Sequence, residues 1–84
     1  MVKANPGDLL STMFSYINIW DEYFRESLEE IKSPGELLLV LDNTPSPVVE
    51  HSKFLHSKDY VKVVSSRCTV GYIFQDNCQL ESIK

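Results

Sequence analysis

Residues 8–31 read DLLSTMFSYINIWDEYFRESLEEI, with neither glycine nor proline, and the spacing of their apolar positions decides the fold class. Leu9, Leu10, Met13, Phe14, Ile17, Trp20, Phe24, Leu28 and Ile31 recur at steps of one, three and four, the period of a helix face. Ser11, Ser15, Asn18, Glu22, Arg25, Glu26 and Glu29 take the opposite side. Upstream, Asn5 suits an N-cap, Pro6 the first helical position and Asp8 the positive end of the helix dipole. Downstream, Pro34 disfavours a helical Ser33 and Gly35 tolerates positive φ, so the pattern stops there. The spacing predicts a helix over residues 6–32, about twice the usual length.

On such a helix Tyr16, Ile19 and Tyr23 form a second row beside the first. They either rim the core with their hydroxyls in water or pack against a second copy or a partner, because aromatic residues are favoured at interface centres. Glu22, Glu26, Glu29 and Glu30 follow along successive turns. The simpler account of these acids is a solvated face, and the functional one is a stripe that steers a basic partner.

Beyond Gly35, the run Glu36-Leu37-Leu38-Leu39-Val40-Leu41-Asp42 has the pattern of a central strand buried on both faces. Ser46 and Pro47 then open a second helix, with Val48, Val49, Phe54 and Leu55 apolar, ending near Ser57. Residues 60–65 and 69–75 are rich in β-branched and aromatic side chains and read as strands joined by a hairpin at Ser66-Arg67-Cys68. Residues 78–84 form either a last edge strand or a frayed end. The expected architecture is one domain, residues 1–84, of α/β or α+β class and order α-β-α-β-β(-β). A long N-terminal helix packs on a small mixed sheet of three or four strands. A right-handed crossover would make 37–42 and 60–65 parallel, and the close alternative is a wholly antiparallel sheet.

Composition sets the outer limits. The chain has 84 residues and 9.6 kDa, of which 43% are hydrophobic and 24% charged, which suffices for one core. The net charge of −4 argues against a general nucleic-acid binder. Lys53, Lys58, Lys62 and Arg67, interleaved with His51, His56, Tyr60 and Tyr72, are where a single strand could stack; a solvated face is the simpler account. No apolar run approaches the length of a bilayer span, and the N-terminus lacks the apolar core of a signal peptide. The expected location is cytoplasmic, off the membrane, with Cys68 and Cys78 reduced.

Few residues support catalysis. Asp42, Asn43 and Thr44 end a buried strand where open α/β sheets bind ligands, and the strand resembles a Walker B strand or the nucleophile strand of aspartyl-phosphate phosphatases. However, there is no G-x-x-x-x-G-K-[ST] loop to hold a phosphate, and Thr44 stands where the phosphatase pattern has its second acid. An Asx turn accounts for Asp42 more simply. His51 and His56 are five apart, diverge on a helix and cannot share a metal, and no Cys-His pair has an orienting third group. No cofactor or metal site is expected. The favoured reading is a small acidic, non-enzymatic interaction protein that binds and modulates another macromolecule, of inhibitor or adaptor type, including viral or phage host-modifying factors. Its binding residues would be Tyr16, Ile19, Tyr23, Glu22, Glu26, Glu29 and Glu30, and its partner a protein with a basic surface or a second copy. The alternative is a small-ligand or phosphate-binding protein or enzyme, with a site at Asp42, Asn43 and Thr44 formed between subunits.

Overall fold

In Ile17-Asn18-Ile19-Trp20 the two isoleucines are buried while Asn18 and Trp20 are half-exposed, the two-residue period of a strand rather than the period of a helix. The computed structural model describes residues 3–44 and 60–81. These hold seven strands: β1 (Leu9–Thr12), β2 (Ile17–Trp20), β3 (Ser27–Ile31), β4 (Leu37–Asp42), β5 (Tyr60–Ser65), β6 (Val70–Phe74) and β7 (Cys78–Glu81). A single turn of 3₁₀ helix, Gln75–Asn77, joins the last two. The strands form one sheet in the order β3-β2-β6-β5-β4-β1-β7, with every pairing antiparallel.

The helix expected over residues 6–32 is therefore replaced by β1, β2 and β3, and the α/β reading falls with it. The segment that predicts a helix start, residues 5–8, is a turn. Asp8 N–H donates to the Asn5 carbonyl at 3.0 Å, and Gly7 sits at φ 94, with proline and glycine at the two central positions of a type II turn. The two later reversals contain no glycine. Tyr16 at φ 62 and Phe24 at φ 55 supply the left-handed residues instead, a conformation uncommon for aromatic side chains. With neither glycine nor proline to mark them, three short strands ran together as one periodic segment.

The rest of the sheet follows the sequence more closely. β4, β5, β6 and β7 occur where strands were expected, and Ser65–Thr69 closes the β5–β6 hairpin, with Cys68 at φ 64. Two corrections apply. β4 and β5 are antiparallel neighbours, Val40 opposite Val63, so the parallel crossover does not occur. β4 is also buried on one face only: Leu38 and Val40 are inside, while Leu37, Leu39 and Leu41 remain exposed. The second helix expected from Pro47 to Ser57 lies outside the described residues.

A sheet with no covering layer among the described residues buries a face by curling onto it. Leu10, Ile17, Ile19, Ile31, Leu38, Val40, Val61, Val63, Ile73 and Cys78 share one inner cluster. β2 meets β6 at one register pair, Trp20 with Tyr72, and this narrow joint lets the β2–β3 hairpin swing across the inner face. Glu29 on β3 consequently reaches Ser65 on β5, accepting its hydroxyl at 2.7 Å. Gly71 occupies the joint: a Cβ there would lie 2.5 Å from the Trp20 carbonyl oxygen and 2.6 Å from the Ile19 side chain. The ends are tied by polar contacts. Ala4 N–H donates to the Gln75 side chain at 2.9 Å, and the Thr12 hydroxyl accepts the Glu36 N–H at 3.1 Å.

Gly71→Ala therefore forces backbone apart and should cost about 2 kcal/mol or more. Gly7→Ala meets no atom within 4 Å and carries only its φ strain, about 1 kcal/mol. Urea unfolding at matched slope should rank them in that order, and equal midpoints would remove Gly71 from its place as the pivot of the curl.

Candidate functional site

The outward side of the sheet carries rows of side chains fixed by register. Asp42, Lys62, Tyr72 and Trp20 are successive cross-strand partners over β4, β5, β6 and β2, and Tyr60 lies opposite Phe74 in the next row. The Tyr60 and Phe74 rings are 5.4 Å apart. Phe24 folds back onto them from the β2–β3 turn, edge-on to Tyr60 at 4.6 Å and 5.8 Å from Tyr72. Asp21 fixes that turn: its carboxylate accepts the Arg25 N–H at 2.8 Å and its own N–H donates to the Glu26 carbonyl at 3.1 Å. Burial raises the pKa of Tyr60. It does the same for Tyr72, helped by the negative charges of Asp42 and Glu22.

At the other end of this surface the β1–β2 loop stands over the sheet, anchored by Met13 N–H donating to the Asn77 carbonyl at 2.9 Å. Between loop and sheet lies a cleft of about 300 Å³, walled by Phe14, Tyr16, Trp20, Tyr60 and Phe74. Asn18 and Asn77 supply amide groups, and Ser15 and Ile17 complete the lining. Among the described residues no charged side chain lines it. Phe14 and Tyr16 are 55% and 68% exposed, a large apolar area to leave in water.

A second groove of about 330 Å³ lies at the end of β3, lined by Glu30, Lys32, Glu36 and Arg67 among others. Its two carboxylates face two cations within the same lining. Beside it the Glu29 carboxylate takes the Ser65 hydroxyl and pairs with Arg67 at 3.1 Å. Burial opposes the Glu29 charge, but hydrogen bonds from Thr69 and Ser65 and the Arg67 guanidinium together outweigh it and lower the pKa.

The residues singled out from the sequence are dispersed. Tyr16 lines the cleft. Ile19 is wholly buried in the core, Tyr23 and Glu22 are exposed on the β2–β3 turn, and Glu26 closes that turn. Glu29 faces inward and Glu30 outward, opposite Asn18. No common helix face unites them. Asp42 accepts the Thr44 N–H at 2.9 Å, and that bond heads the causes that lower its pKa. Asn43 donates to the Ala4 carbonyl at 3.0 Å, so the Asp42-Asn43-Thr44 turn spends its polar groups on its own chain. Lys62 and Tyr72 share the outer face as neighbours, while Arg67 belongs to the Glu29 pair. His51, His56, Lys53 and Lys58 lie outside the described residues. No group of three or more His, Cys, Asp or Glu able to hold a metal occurs among the described residues. The sequence reading selects none of Phe14, Trp20 and Phe74 as site residues, and names Tyr60 and Tyr72 only as aromatics interleaved with the bases of residues 53–67. Tyr60, Tyr72 and Phe74 share one parity along two adjacent strands, the signal that could have found them.

Cys68 is exposed and Cys78 buried, both free, and burial pushes the Cys78 thiol up to about 12. A native-state thiol titration should label Cys68 rapidly and Cys78 only on unfolding; two fast equivalents would show that the inner face opens. Because the folded Glu29 pKa lies below its ordinary 4.5, Glu29 adds stability that is present above that value and fades as pH falls through the folded one. The gap in unfolding free energy between wild type and Glu29→Gln should narrow from about pH 5 to pH 3. A gap independent of pH would mean that the carboxylate is not held by these contacts.

Compared with family models, with curated proteins and with solved structures, the chain matches none.

Proposed function

We propose that this protein is a non-enzymatic binding module that holds an extended segment of a partner protein in the aromatic cleft. The observation that carries the reading is the wall of five aromatic side chains with no charged group among them, two of them largely exposed. Aromatic side chains offer large contact area at little conformational cost, which is why they concentrate at binding hot spots. A single-stranded nucleic acid would also stack on such rings, but it needs cations along its backbone. Among the described residues the lining supplies none. The volume lies at the lower end of ligand sites, suited to one or two side chains of an extended segment.

Trp20 is the only tryptophan of the chain, so its emission reports on the cleft. Peptides selected from a displayed random library should shift that emission saturably. Phe14→Ala and Tyr16→Ala should each weaken binding by about 1–2 kcal/mol while moving the thermal midpoint little, since both side chains are exposed. Selected peptides that bind the double variant as tightly as wild type would overturn the reading.

A further inference from the structure

The cleft wall is uncharged, yet its surroundings are acidic. Glu30 is the cross-strand partner of Asn18, and Asp76 precedes Asn77, so each of the two lining amides has a carboxylate as its neighbour. Farther along the same face stand Asp42 and Glu22, close enough to Tyr72 for their charge to act on its hydroxyl. Of the cations nearby, Arg67 pairs with Glu29, Lys62 stands opposite Asp42 across β4 and β5, and Lys32 lines the neighbouring groove with Glu30. The described residues carry ten acids against five bases, so this part of the molecule is net negative.

Resting on the cleft reading above, we propose that the group the cleft takes is an arginine side chain from an extended segment of the partner protein, its guanidinium stacked against the Trp20 indole. A guanidinium is planar, more weakly hydrated than an ammonium and attracted to the face of an aromatic ring, most strongly tryptophan. Asn18 and Asn77 offer amide oxygens as acceptors for the edge of the fork, although Asn18 already accepts the Ser27 hydroxyl at 2.7 Å. Glu30 and Asp76 provide compensating charge without entering the wall. Each of these features is neutral or unfavourable for a partner that brings a carboxylate or phosphate.

The test uses the full chain and two synthetic octapeptides, one alternating glycine with arginine and one alternating glycine with citrulline, the uncharged isostere. Binding is read from Trp20 emission and by calorimetry. The arginine peptide should bind about tenfold or more tightly than the citrulline peptide, and the difference should shrink as salt rises. Glu30→Gln combined with Asp76→Asn should weaken the arginine peptide about threefold and leave the citrulline peptide unchanged. Equal affinity of the two peptides overturns the arginine assignment and leaves the aromatic cleft standing as a neutral-segment site. Binding of library-selected peptides but of neither octapeptide overturns it in the same way. If no peptide of any kind perturbs Trp20, the assignment and the underlying cleft reading fail together.

Discussion

The structure depends on one close approach, the backbone of Gly71 on β6 against the carbonyl of Trp20 and the side chain of Ile19 on β2. With no covering layer among the described residues, the sheet buries its apolar face against itself, since apolar surface removed from water contributes roughly 25 cal/mol per Å² in favour of closure. Flat continuation of β2 beside β6 would leave Val61, Val63 and Ile73 facing water. Pairing that lapses after Trp20 and Tyr72, at a position with no Cβ, lets the β2–β3 hairpin turn over them, and these three residues end up with no exposed surface. The Ser65, Glu29 and Arg67 contacts fasten the hairpin in that position from the other side.

The same joint builds the outer surface. Trp20 contributes its carbonyl to the pivot and its indole to the cleft, so the curl that completes the core also sets the cleft wall. Register does the remainder: period-two alternation on β5 and β6 that sends Val61, Val63 and Ile73 inward necessarily sends Tyr60, Tyr72 and Phe74 outward. The loop residues Phe14 and Tyr16 are placed by a different device, the Met13 bond to the Asn77 carbonyl, and contribute little to the core.

How much of this the sequence disclosed differs sharply between its two halves. From residue 36 onward, a continuous apolar run and two segments rich in β-branched and aromatic residues are separated by residues with clear turn preferences, and the described strands occur there, β4 being buried on one face where the run predicts two. Before residue 34 the reading fails for a definite reason. Ile17, Trp20, Phe24, Leu28 and Ile31 satisfy a helical period, while Ile17 and Ile19 satisfy a strand period, and the local pattern contains nothing to arbitrate. The deciding contacts are non-local: Ile17 opposite Ile31, Leu10 opposite both Leu38 and Leu80. The breaks between strands are made by Tyr16 and Phe24 at positive φ, where glycine or asparagine would have been legible. Asn5-Pro6-Gly7-Asp8, whose cap and proline predict a helix start, closes a turn instead. For the candidate site, Tyr16 lines the cleft, whereas the helical spacing that groups Ile19 with it gives way to an alternation that sends Ile19 into the core.

That reversal bears on how the acids act. On a helix, Glu22, Glu26, Glu29 and Glu30 would have formed one stripe. On the sheet, alternation separates Glu29 from Glu30, so that the first is spent inside on Ser65 and Arg67 and the second remains outside beside Asn18. A carboxylate consumed by an internal pair contributes little field beyond it, because its charge is compensated within hydrogen-bond distance. Glu30 stays on the outer face, beside the groove it shares with Lys32, Glu36 and Arg67. The electrostatic character of the outer face is thus set by the parity of the strand residues more than by their number, and moving β3 by one residue would turn Glu29 outward and Glu30 inward.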